Sequence, residues 1–220
     1  MVPPGSVRPG SPYGSEALGN PRLNPLLGVI RFPQLGYAGN VARSQGQITM
    51  VAILTTTIAV AAIVLGAAAV AKLRSPGGAE RALAAVGLSM PRAVVRVIAS
   101  AELALAALVL LAPGRVTSGL LAVMYAVLAV VAHVLAGRGA ACGCFGAERA
   151  PASAAHVWLS AVLAATAAAG VAWPPSGLAW LLSGSPGVAA PLALGIAGAA
   201  YATVIVYTEL PSAWSAWRPR

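Results

Sequence analysis

Residues 48–71, ITMVAILTTTIAVAAIVLGAAAVA, run for 24 positions without a charged side chain. A helix needs about 20 predominantly apolar residues to cross the hydrocarbon core of a bilayer, so this run predicts a spanning helix. Four more apolar runs follow, at about 93–112, 116–137, 153–173 and 187–208. Charged residues make up only 9% of the chain and the mean hydropathy is +0.82. Soluble domains carry about 25% charged residues, so the lipid bilayer is the expected surrounding. The expected fold is all-α: a polytopic transmembrane bundle with a four-helix core over 48–173 and a fifth, C-terminal span.

The net charge of +9 raises the question of nucleic acid. No contiguous basic stripe interleaved with aromatics is present, however. Lys72, Arg74, Arg81, Arg92 and Arg138 sit beside the apolar runs instead, where arginine and lysine meet headgroups, so no nucleic-acid partner is expected.

Residues 1–47 are rich in Pro, Gly, Ser and Asn and carry neither a helical nor a strand period. They read as a disordered tail without the apolar core of a signal peptide, and Met50 is an alternative translation start. Between the first two spans, Pro76-Gly77-Gly78 precedes a segment, 79–88, whose apolar positions recur at helical spacing, predicting a short interfacial helix. Pro91 is placed to open the second span, and Pro113-Gly114 to turn into the third. A polar loop covers 138–152, and 174–220 hold a loop, the fifth span and a short tail. Trp173, Trp180, Tyr207, Trp214 and Trp217 near the predicted ends suggest an interfacial aromatic belt. Thr55, Thr56 and Thr57 are expected to bond back to their own helix.

Chemistry concentrates in Cys142-Gly143-Cys144-Phe145-Gly146, which holds both cysteines of the chain. A disulfide over one intervening residue is strained and therefore readily exchanged, and Gly143 suits so tight a loop. Both histidines flank it, His133 a turn before the third span ends and His156 in the first turn of the fourth. Three readings stay open: a redox dithiol/disulfide assisted by imidazoles, a soft-metal site of Cys142, Cys144, His133 and His156, or interfacial histidines bonded to backbone. Glu102 stands well inside the second span, where a carboxylate costs on the order of 3 kcal/mol and calls for a partner. Lys72 or a hydroxyl of another helix is the candidate partner. Glu102 itself is a candidate for proton relay, for contact with a quinone acceptor, or for holding two helices together.

These residues resemble the MauE family, related to DoxX-like membrane proteins. The resemblance rests on Ala71-Lys72-Leu73-Arg74-Ser75-Pro76 closing the first span, on Pro91 and Ala101-Glu102-Leu103 in the second, and on the Cys142–Gly146 motif before the fourth. It covers roughly 50–173. Two departures stand out: Ser75 where the family often has an acid, and Leu159-Ser160 where it often has Arg-Asn. The resemblance implies a membrane protein linked to disulfide chemistry, serving maturation of the disulfide-rich methylamine dehydrogenase small subunit or a thioredoxin-like client. The catalytic residues expected are Cys142, Cys144, Glu102, His133 and His156, with a quinone as electron acceptor. Metal handling by the Cys/His cluster, or a non-catalytic assembly role, is the alternative.

With five spans, the cysteine loop shares a side with residues 73–91 and the C-terminus. That side holds Lys72, Arg74, Arg81, Arg92, Arg138, Arg149, Arg218 and Arg220, against Arg115 and the tail's Arg8, Arg22, Arg31 and Arg43. The count of bases favours a cytoplasmic loop, whereas persistence of a disulfide favours the outer face of the cell membrane, which is the expectation adopted.

Overall fold

Helix α1 spans Gln34–Arg74, and its apolar segment from Thr49 is the axis of the bundle. Half of the most apolar stretch of that segment is buried, against 11% for the corresponding stretch of Pro186–Glu209. In this computed structural model the described residues are 34–143, 145, 152–177, 179, 183 and 185–217. They form α1, α2 (Gly77–Ala85), α3 (Arg92–Leu111), α4 (Arg115–Gly137), α5 (Ala154–Ala172) and α6 (Pro186–Trp217). Five of these are long and apolar enough to cross a membrane: α1 from Thr49, α3, α4, α5, and α6 up to Glu209. The chain divides into two compact units, Met1–Ala42 and Arg43–Arg220, and the second holds all five spans.

The spans begin and end within three residues of the apolar runs, because hydrocarbon thickness leaves little latitude in helix length. The N-terminal tail differs from its expectation in part. Residues 1–33 lie outside the described residues, but 34–47 continue α1 rather than forming a disordered segment. Pro33 is the last proline before the span, so nothing downstream of it breaks the backbone hydrogen-bond ladder.

Small side chains let α1 take neighbours on several sides. Ile58, Ala61, Ala62 and Leu65 pack against Ala106 and Val109 of α3, Leu121 and Tyr125 of α4, and Ala167 of α5. Its opposite edge, Ala59, Val60 and Val64, meets Ile196, Ala200 and Tyr207 of α6. Thr55, Thr56 and Thr57 return their hydroxyls to carbonyls four residues back, as expected, at 2.7–2.8 Å. Thr55 also accepts the amide of Ser176 at 3.0 Å, tying the loop after α5 to α1.

Gly170 is where α5 comes closest to its neighbours. A methyl there would stand 2.6 Å from Ile58 Cδ1 and 2.9 Å from Ser118 Oγ, whereas one at Gly119 would meet only Val171, at 3.7 Å. Gly170→Ala is therefore expected to cost about 1–3 kcal/mol by overpacking. Gly119→Ala should be neutral or stabilise by up to about 1 kcal/mol through helix propensity. Thermal unfolding of both variants in mild detergent checks the contrast; equal melting points would contradict it.

The short helix α2 is bracketed by the segment that follows α4. Arg138 donates from its guanidinium to the carbonyl of Ala85 at the C-terminal end of α2. Gly143, with φ +63°, packs on the backbone of Gly78 and Ala79 in the first turn. Residues 138–143 thus run back along α2. The amide of Ala152 donates to the carbonyl of Ala140 at 2.8 Å, closing the neck of the loop before Ser153 caps α5. Arg92 pairs with Glu80 of α2 at 3.1 Å. That exposed pair holds α2 to the start of α3 but contributes little energy.

Candidate functional site

The ammonium of Lys72, near the end of α1, donates to both carboxylate oxygens of Glu102, at 2.7 and 2.6 Å. Both groups are buried, at 7% and 3% exposure, and Glu102 lies midway along α3. Of the partners expected for this carboxylate, the lysine is the one the fold brings to it. Two of the three ammonium hydrogens satisfy Glu102 and leave one for another acceptor.

Cys142 is half-buried beside Ala82, Leu135 and Ala152, at the foot of α2. It lines two cavities, and Lys72 lines both as well. The smaller one, about 20 Å³, is lined by Cys142, Phe145, Tyr125, His156, Ser160 and Tyr207 among others. It has room for about one water molecule. The larger one, about 640 Å³, is an apolar groove between α3 and α4 with Glu102, Cys142 and Gly143 in its wall. Cys144, the second half of the motif, lies outside the described residues, as do Gly146 and Arg149.

His156 occupies the first turn of α5 because Ser153 caps that helix. The amide of Ser153 donates to His156 Nδ1 at 3.2 Å, and the hydroxyl of Ser153 lies 3.1 Å from the same nitrogen. A backbone amide only donates, so in a neutral ring the proton sits on Nε2. The ring stacks edge-on against Tyr207 with centroids 5.6 Å apart, and Phe145 meets the same tyrosine at 5.7 Å. Tyr207 and Ser160 share a buried hydroxyl–hydroxyl hydrogen bond of 3.0 Å. Tyr125 donates its hydroxyl to the carbonyl of Ala61 at 2.7 Å.

The fold thus gathers Cys142, Glu102 and His156 around Lys72 and the two cavities. It does not bring His133 there: that side chain is exposed on α4 and lines neither cavity. Among the described residues no three His, Cys, Asp or Glu side chains converge on a metal-binding geometry. Tyr207 departs from its expected place in the aromatic belt. It is 7% exposed and faces α1 and α5, while Trp173 at the end of α5 is 52% exposed. Ser160 and Tyr207 are the site residues that sequence reasoning missed. A tyrosine near a helix end reads as interfacial, and its hydroxyl partner lies 47 residues away.

Residues 49–174 match the family described as methylamine utilisation protein MauE. No curated protein and no solved structure matches the chain.

Proposed function

Because the chain belongs to the MauE family, we propose that this multi-pass membrane protein is a thiol–disulfide component that forms disulfides in a partner protein through Cys142 and Cys144. The observation that carries the reading is the position of Cys142, which lines both the small cavity of His156 and Tyr207 and the apolar groove of the Lys72–Glu102 pair. A cysteine so placed has proton-handling groups on one side and a lipid-facing groove on the other.

In this reaction a client thiolate attacks the Cys142–Cys144 disulfide. A mixed disulfide forms and the second cysteine leaves as a thiolate. The second client thiol then displaces the mixed disulfide. The client loses two electrons and two protons, and the cysteine pair takes up both. The amide end of α2 supplies partial positive charge close to the loop as a thiolate departs. Nε2 of His156 and the Tyr207 and Ser160 hydroxyls are the groups able to pass its proton. His133 takes no part in the exchange. The client is a disulfide-containing protein of methylamine metabolism or a thioredoxin-like partner, and the loop works on the outer face, where disulfides persist.

Cys142→Ser and Cys144→Ser are each expected to leave the client's thiols reduced in cells. Intact client disulfides in both variants would end this reading. On spheroplasts, a membrane-impermeant maleimide is expected to label the pair only after reduction. Labelling that requires an opened membrane would place the loop inside and remove the oxidising surroundings the reaction needs.

A further inference from the structure

We propose that the groove between α3 and α4 binds an isoprenoid quinone, and that this quinone re-oxidises the Cys142/Cys144 dithiol; the proposal rests on the thiol–disulfide reading above. The groove's volume of about 640 Å³ lies within the ~300–1,000 Å³ typical of small-molecule sites. Its walls are apolar side chains of the spanning helices, among them Ile98, Leu105 and Leu108 of α3 and Leu120, Val127 and Val131 of α4. Ile98, Leu108, Leu120 and Val127 are exposed, so the groove opens sideways toward lipid. A ligand reaching it comes from the bilayer and carries an apolar tail.

Charge selects the head. Lys72 is already neutralised by Glu102, so an anionic phosphate would meet the carboxylate without an uncompensated cation to hold it. A neutral head with carbonyl oxygens fits better. The remaining ammonium hydrogen of Lys72 donates to one carbonyl, and Glu102 accepts a hydrogen bond from the hydroxyl that reduction creates. Cys142 stands in the same wall, where the electron donor has to be. The step balances. The dithiol gives two electrons and two protons, a sulfur–sulfur bond forms between Cys142 and Cys144, and the quinone becomes a quinol.

The test uses the full chain in lipid nanodiscs with decylubiquinone and a short-chain menaquinone analogue as probes. Pre-reduced protein is expected to convert one equivalent of quinone to quinol, read by ultraviolet absorbance, while losing two thiols. Ala101→Trp and Val127→Trp, each projecting an indole into the groove from a different helix, should slow this by about tenfold or more, as overpacking a ligand site does. Saturable binding of the probes to the unmodified chain is measured separately by competition with a fluorescent fatty acid. Separately, pre-oxidised protein is mixed with a reduced dithiol peptide. Exchange there without quinone reduction would overturn the quinone site and leave the redox reading standing. Failure of the exchange would overturn the redox reading. A groove that holds the fatty acid against both probes is a lipid-chain site, and would also overturn the proposal.

Discussion

Lys72→Met is expected to destabilise the protein by about 3–5 kcal/mol, because it strands the Glu102 carboxylate in the middle of a spanning helix. The pair itself contributes little net stability, since desolvating two ions offsets most of their attraction. The large number belongs to the broken state. Lys72→Met with Glu102→Leu should therefore recover most of the loss, leaving two apolar side chains facing each other. Unfolding of these two variants and of Glu102→Leu alone by denaturing detergent, read as a double-mutant cycle, measures the coupling directly. Additive losses would mean that the two groups do not depend on each other. The double variant also separates structure from chemistry: it is expected to fold and yet to leave the client reduced, since nothing would then hold the quinone head. Restored stability together with restored client disulfides would make the pair purely structural.

Gly143→Ala carries the second large effect. Its φ of +63° alone costs a non-glycine residue about 1–2 kcal/mol. The added methyl would also fall on the backbone carbonyl of Gly78, which has no rotamer by which to move aside. Gly139 provides the control, because it has nearly the same φ, +62°, and nothing within 4 Å of the position a methyl would take. Gly139→Ala should lose only the conformational increment, whereas Gly143→Ala must in addition lift the cysteine loop off α2. A lower melting point for Gly143→Ala, with faster maleimide modification of Cys142, is the expected pair of results. Matching behaviour of the two alanine variants would show that contact with α2 does not hold the loop.

The helices were legible in the sequence because membrane insertion is a local and nearly additive property of each segment. The run at 48–71 becomes the span from Thr49 to Arg74, and the period in 79–88 becomes α2, displaced to Gly77–Ala85 because Gly77 and Gly78 already turn with the helix. Glu102 announced itself by its cost, and Lys72 was one of the candidate partners able to meet it. Tyr207 and Ser160 did not stand out. Hydropathy tells which residues enter the membrane but not the rotation of each helix about its axis, and that rotation turns Tyr207 inward against His156. The same ignorance of rotation made His133 and His156 look equivalent beside the cysteines. Packing leaves one exposed and buries the other.

By itself, then, the sequence determined a helical bundle of five spans, a cysteine motif in a loop between the third and fourth, and an intramembrane carboxylate in need of a cation. Transfer of each segment from water to lipid decides those things, largely without reference to neighbours. Only the tertiary structure decided that Lys72 closes on Glu102 across 30 residues, that Gly143 lies on the start of α2, and that Cys142 lines both the small cavity beside His156 and Tyr207 and the apolar groove. Those are matters of helix rotation and close approach, and they are settled by which small side chains let which backbones touch.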